Sequence, residues 1–275
     1  MPLIPQQFLQ RRRTNGQHFP ARGYQGIQKW FSGIARCVTV DFKPGSLTAI
    51  IGHSGAGKST MLRMINGLEL PTSGEVKVAD RVVNRLNLRD VRGDVGIIFQ
   101  HYNLVSRLSV MTNILAGRVK YRSWVGSMLY LFLKSDMDHA FQALDRVGLL
   151  DRAWDRADRL SGGQQQRVGI ARALAQQPRI LLADEPVASL DPVTSEEIMQ
   201  LLREICDRDG ITVVVNLHQV DLVKRFASRV IGLNTGQIVF DGHTNELDQH
   251  TLDQIYHTKK EANNEQQPAL LLAHA

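Results

Sequence analysis

The sequence predicts an α/β protein built on a mostly parallel sheet, and three observations carry that reading. Short, continuous apolar runs recur along the chain and stop abruptly at polar residues, as buried parallel strands do. Segments of helical period lie between the runs, and strands alternating with helices put helices on both faces of one sheet. The runs end in chemically capable residues, and in such sheets ligands bind at the carboxyl ends of the strands.

In chain order, residues 1–27 mix polar residues, Pro and Gly without periodicity and read as a poorly ordered arm. Globular patterning begins at Val38. The first apolar run, Leu47–Ile51, is closed by Gly52. A run over 95–99 precedes Gln100, one over 180–183 ends in Asp184-Glu185-Pro186, and one over 212–217 ends at His218. Helical patterns cover 60–68, 138–147, 164–175 and 195–208. Between 101 and 160 no strand-like run occurs, which places a helical subdomain there. Residues 259–275 form a polar, then Ala/Leu-rich tail, leaving 28–258 as the domain.

Composition excludes several classes. With 275 residues and 43% hydrophobic content the chain supplies an ordinary soluble core. The longest membrane-span candidate, 125–133, is half the ~18 apolar residues required and is interrupted by Gly126 and Ser127. Arg11, Arg12 and Arg13 have no apolar stretch behind them, so no secretory signal is expected. Cys37 and Cys206 are too few for a disulfide scaffold and fit a reducing compartment. The net charge of +6 resides in the arm, which holds six basic residues and no acidic one before Asp41. The other 27 basic residues balance all 27 acidic ones, so the body is neutral and no specific nucleic-acid partner is expected. A short basic arm can touch phospholipid or nucleic acid, and a solvated tail has the same composition.

Gly52-His53-Ser54-Gly55-Ala56-Gly57-Lys58-Ser59 fits G-x-x-x-x-G-K-[ST] between a strand and a helix, and Thr60 follows it in the helix. Glycines let successive backbone N–H groups turn inward on phosphate oxygens, and the helix N-terminus adds its positive end. Lys58 neutralises the β and γ phosphates and the Ser59 hydroxyl ligates Mg²⁺. The site is therefore read as one for a nucleoside triphosphate. Asp184, closing a buried strand, is placed to hold Mg²⁺ through water, and Glu185 to polarise an attacking water as general base.

Leu160-Ser161-Gly162-Gly163-Gln164-Gln165 resembles the signature motif of the ATP-binding-cassette (ABC) family. By itself a Ser-Gly-Gly is also an ordinary helix N-cap. The other cassette motifs occur in family order: Gln100 resembles the Q-loop glutamine, Ala188-Ser189-Leu190-Asp191 the D-loop, and His218 the switch histidine. Segments 99–105, 107–113, Ala116-Gly117-Arg118 and 214–221 are similar to the phosphonate-import branch, in which Asn-Leu-His-Gln replaces the commoner Thr-His-Asp strand end.

The resemblance implies a phosphate-loop NTPase fold of ABC type, with a small antiparallel β part and a helical subdomain beside the parallel core. It implies ATP and Mg²⁺, with Ser59, Gln100 and Asp184 at the metal and Glu185, His218 and Gln100 catalytic. Ser161, Gly162, Gly163, Gln164 and Asp191 would act on ATP held by a second copy, since the chain carries one copy of each motif. Membrane permease subunits are implied as partners at the cytoplasmic face of the inner membrane, with a periplasmic binding protein acting indirectly. A short permease helix is expected near residues 102–111. Other phosphorus oxyanions, or a soluble ribosome- or nucleic-acid-associated role, are the alternatives. Two departures stand out. His53 replaces the usual Pro or Glu, and residues 1–35 lack the apolar alternating strand that normally opens a cassette. Trp30 falls within one residue of the adenine-stacking position, where adenine stacking and an ordinary core role both remain open.

Overall fold

The structure, a computed structural model, describes residues 27–31, 38–121 and 132–256. Its centre is a six-stranded sheet in the order β10-β9-β3-β8-β7-β6. Strands β6 (Val95–Ile98), β7 (Ile180–Asp184), β8 (Thr212–Asn216), β3 (Leu47–Ile51) and β9 (Arg229–Asn234) run parallel, and β10 (Gln237–His243) adds an antiparallel edge. The continuous apolar composition of the central strands follows from burial on both faces. Leu47, Ala49 and Ile51 enter one core with Leu181, Ala183, Val213 and Val215, while Ile50 enters the other with Leu182, Val214 and Ile231.

The first core is shared with the helical region: α3 (Val110–Leu115), a 3₁₀ segment (Ala116–Tyr121), α4 (Lys134–Arg146) and α5 (Gly162–Ala175). α6 (Pro192–Asp209) and α7 (Val220–Phe226) pack on the same side. The second core lies under α1 (Lys58–Ile65) and α2 (Leu88–Asp94), with the small antiparallel β4 (Lys77–Val78) and β5 (Arg81–Val82). α8 (Gln249–Tyr256) closes the described chain. No described helix is long and apolar enough to cross a membrane.

Two expectations change. The missing opening strand is present: β1 (Ile27–Phe31) pairs antiparallel with β2 (Val38–Phe42), setting Trp30 opposite Thr39. Its apolar residues Ile27, Trp30 and Phe31 do not alternate, so a period-2 reading passes over it; β2, alternately buried and exposed, supplies the pairing. Helices α5 and α6 also start earlier than their periodicity, because Ser161 and Asp191 cap them and Pro192 occupies a first-turn position that tolerates proline. Residues 1–26 of the expected arm and the whole expected tail 259–275 lie outside the described residues, as does 122–131 within the expected helical subdomain.

Ala116-Gly117-Arg118 now has a structural account. A Cβ on Gly117 would overlap the Arg172 carbonyl oxygen, so glycine lets the 3₁₀ segment lie against α5. Arg118 is buried, with Nε donating to Asp136 Oδ1 at 3.1 Å and Nη1 to the Ala175 carbonyl at 2.9 Å. Asp136 Oδ2 accepts from the Leu133 amide at 3.1 Å, so one carboxylate starts α4 and anchors the end of α5.

Asp136→Ala would remove the carboxylate that pairs with the buried Arg118 guanidinium, for which the expected loss is about 3–5 kcal/mol of unfolding free energy. Urea denaturation measures it, and a loss below ~1 kcal/mol, typical of an exposed pair, would contradict the assignment.

Candidate functional site

The phosphate loop between β3 and α1 is shaped by close backbone approach. Gly52 has φ 154°, and a Cβ there would overlap the Leu233 carbonyl oxygen on β9. Gly57, with φ 101°, precedes the first helical residue, where any side chain would be strained. The Gly236 amide in the β9–β10 turn donates to the Ala56 carbonyl at 3.1 Å, bracing the loop from outside. Ala56 is buried, whereas Ser54 and Gly55 are exposed; Thr60 is half-buried in the first turn of α1. His53 does not disturb the loop: its Nδ1 lies 2.6 Å from the Ser54 carbonyl, and its own carbonyl caps the turn to Ala56.

Lys58 is only 5% exposed, and its Nζ donates to the carbonyls of Gly52 (2.8 Å) and His53 (3.1 Å). Burial lowers its pKa from the ordinary lysine value, while the charges of Glu185 and Asp184 pull it upward. A lysine folded onto its own loop carbonyls, with carboxylates nearby, is poised to exchange those acceptors for phosphate oxygens.

The acids come from the end of β7. Register pairs Asp184 with Asn216 of β8, and Ile50 of β3 with the same Asn216, so three strand ends converge. Ser59 Oγ donates to Asp184 Oδ1 at 2.8 Å, and Asn216 Nδ2 donates to that oxygen at 2.8 Å. Glu185 has φ 49°, a left-handed conformation costly for a non-glycine residue. That turn breaks strand alternation, so Glu185 also faces β8, and His218 Nε2 lies 2.8 Å from its Oε1. Each acid is thus held by a different residue near the end of β8.

Gln100 lies two residues beyond Ile98 of β6, which pairs with Ala183, so Gln100 and Glu185 leave the sheet at the same level. A hard-cation site fits this donor set: the Ser59 hydroxyl, the Asp184 carboxylate and the Gln100 amide offer oxygen only. Among the described residues no group of three His, Cys, Asp or Glu side chains is arranged to hold a metal ion by itself. That suits Mg²⁺, which typically takes one or two carboxylates and completes its shell with water and phosphates.

The expected signature and D-loop residues lie apart from this centre. Ser161 is the N-cap of α5 in a reciprocal box with Gln164: Gln164 N donates to Ser161 Oγ (3.3 Å) and Ser161 N to Gln164 Oε1 (3.0 Å). Asp191 caps α6 through Thr194 N (3.0 Å) and Thr194 Oγ1 (2.6 Å), bonds that hold its carboxyl below the usual range. Gly162 and Gly163 keep this surface bare of side chains, the first against Tyr102 and the second against Thr194. Trp30 sits in β1, opposite Thr39.

The structure adds residues that the motifs did not name. After Gln100 the chain passes through two consecutive left-handed residues, Tyr102 and Asn103 (φ 54° and 49°). Arg172 of α5 forks onto both: Nη1 donates to the Asn103 carbonyl at 2.5 Å and Nη2 to the Tyr102 carbonyl at 3.0 Å. A Cβ on Gly162 would stand 3.0 Å from the Tyr102 hydroxyl, so Tyr102 spans from the loop after Gln100 to the signature glycine. Val110 and Met111 are buried and Leu104 packs on the core, while His101, Asn103, Val105, Ser106 and Arg107 are exposed and Tyr102, Leu108 and Ser109 half-buried. Local pattern could not reveal the Arg172 fork, since its acceptors are backbone carbonyls about 70 positions away.

Comparison with known proteins agrees with this geometry. The family model described as "ABC transporter" matches residues 35–188. The "Phosphonates import ATP-binding protein PhnC" of Thiobacillus denitrificans is 63% identical over 219 residues, covering 80% of this chain and 85% of that one. PhnC 2 of Trichodesmium erythraeum is 59% identical over 220 residues, with 79% and 85% covered. Among solved structures, the dimeric post-hydrolysis state of the ATP-binding cassette MJ0796 bound to ADP and Pi is similar with TM-score 0.67 and 34% identity. The match covers 82% of this chain and 98% of that one.

Arg172→Met keeps the apolar stem but removes both donors to the Tyr102–Asn103 turn. The expected cost is about 1.5–3 kcal/mol, with faster amide exchange at Val105, whose N–H is held by Asn113 Oδ1. Urea unfolding with residue-resolved hydrogen exchange checks both; unaltered protection at Val105 would show that the fork does not order this loop.

Proposed function

Since this chain belongs to the ABC transporter family, we propose that it is the ATP-hydrolysing, energy-coupling subunit of an importer for phosphonates. The observation that carries the substrate class is 63% identity over 80% of the chain to a phosphonate-import ATP-binding protein. The convergence of Lys58, Ser59, Asp184, Glu185 and His218 at the strand ends supports the hydrolytic reading.

In this reading the amides of residues 52–60 and the Lys58 ammonium bind the phosphates of ATP. Mg²⁺, when bound with the nucleotide, neutralises charge developing between the β and γ phosphates. Ser59, Asp184 and Gln100 would hold it. Glu185 accepts a proton from the attacking water, and His218, hydrogen-bonded to its Oε1, orients the carboxylate and contacts the γ-phosphate. Trp30, within one residue of the adenine-stacking position counted back from Lys58, is assigned to the adenine ring.

Ser161, Gly162, Gly163, Gln164 and Asp191 act in the same reading on ATP bound by a second copy of the chain. The support is physical: an exposed helix N-terminus with two glycines is an anion site awaiting a ligand from outside the chain. Two such cassettes close on ATP and reopen after hydrolysis, driving permease subunits at the cytoplasmic face of the membrane. The segment near 102–111, which follows Gln100 and is tied to α5 by Arg172, is the proposed permease contact.

Two outcomes are expected. Glu185→Gln keeps the phosphate and metal contacts but cannot take a proton, so it should bind ATP and lose ~10²–10⁴-fold in turnover. Phosphate release against nucleotide binding measures this, and near-parental ATPase activity would remove Glu185 from the role. Ser161→Arg should leave nucleotide binding by the monomer intact and abolish ATP-driven dimerisation, read by light scattering in the Glu185→Gln background. Continued dimerisation there would show that the signature surface is not the contact.

A further inference from the structure

The phosphonate-branch strand end, Asn216-Leu217-His218-Gln219, contains a buried residue that the hydrolytic reading leaves unused. Asn216 is the last residue of β8, is 0% exposed, and follows Val213, Val214 and Val215. Asparagine is depleted in strand interiors, and a fourth valine would satisfy the packing. Its amide is only half satisfied. Nδ2 donates to Asp184 Oδ1, while the Asn216 Oδ1 atom is buried with no partner among the described residues. A buried acceptor left unpaired costs stability, so packing alone does not explain this residue.

We propose that Asn216 is a positioning residue that fixes the Asp184 carboxylate toward the metal of the MgATP site. The inference rests on reading Asp184 and Ser59 as that metal's residues. Asp184 Oδ1 accepts two bonds at 2.8 Å, from Ser59 Oγ on α1 and from Asn216 Nδ2 on β8. Either bond alone leaves the carboxyl group free to swivel about its own axis. Two donors from elements on different sides fix its plane and leave Oδ2 without a protein donor among the described residues. With an apolar residue at this position, Ser59 would hold the carboxylate alone. The same strand end serves both acids: Asn216 holds Asp184, and two residues on, on the same side of the chain, His218 holds Glu185. Leu217 between them is buried, and its amide donates to the Ile50 carbonyl at 3.1 Å, which locks the level of both contacts to β3.

The test uses Mn²⁺ as the probe, because its free concentration is read directly by electron paramagnetic resonance in the presence of the slowly hydrolysed analogue ATPγS. Asn216→Leu, of similar volume without a donor, should weaken Mn²⁺ binding about 10- to 100-fold, as loss of an outer partner of a metal-bearing group does. ATPγS binding in EDTA and the thermal midpoint should stay at the parental level. Asn216→Thr, a good strand residue with a shorter donor, should fall between parent and Leu, and carries the test alone if the Leu variant does not fold. Parental Mn²⁺ affinity in the variants would overturn the proposal. Parallel loss of EDTA-state nucleotide binding and thermal midpoint would reduce Asn216 to a structural role, which also overturns it. A parent protein whose ATPγS complex takes up no Mn²⁺ would instead refute the metal reading of Ser59 and Asp184, and the proposal would fall with it.

Discussion

The register of three adjacent parallel strands is the constraint on which the site depends. Asn216 stands beside both Asp184 and Ile50, so β7, β8 and β3 end at one level. β3 leads directly into the phosphate loop, β7 into Asp184 and Glu185, and β8 into His218. A parallel ladder cannot slip by one residue without turning its apolar set out of one core and into the other. The two cores enforce the register because the strands alternate between them. Burial energy thereby fixes where the lysine, the acids and the histidine meet. The bonds from Ser59 and Asn216 to one oxygen of Asp184 are its visible outcome.

Much of this was legible in the sequence because each essential residue sits at the end of an unbroken apolar run. The strand limits of β3 and β8 and the placement of Lys58, Asp184 and His218 need only local pattern. What stayed hidden depends on partners distant in the chain. β1 lacks alternation and takes its pairing from β2. The β9–β10 turn reaches the phosphate loop through one backbone bond, from Gly236 to Ala56, and backbone bonds leave no mark in side-chain composition. The left-handed Glu185 is unforeseeable for a related reason, since no local preference calls for φ 49° at a glutamate. That conformation is tolerated because its neighbours, including His218, over-determine it.

Ser161 and Asp191 each have a structural role that is independent of any ligand. Each is a helix N-cap within the chain, with its oxygen occupied by its own first turn. An N-cap also leaves other first-turn amides facing outward with the positive end of the helix behind them. The cap reading and the nucleotide reading of Ser161 are therefore compatible: the structural role builds the surface on which an anion from another molecule can sit. Between that surface and the phosphate loop no hydrogen bond exists among the described residues, while Tyr102 and Arg172 connect it to the loop following Gln100.

The central claim is that a single chain holds only half of each working site. Specific ATPase activity as a function of protein concentration tests it most directly, with mass followed in the same solutions by light scattering. The account predicts activity per chain that rises with concentration and levels off as ATP-dependent dimers fill. Activity per chain that stays constant down to concentrations where the protein remains monomeric with ATP bound would contradict it.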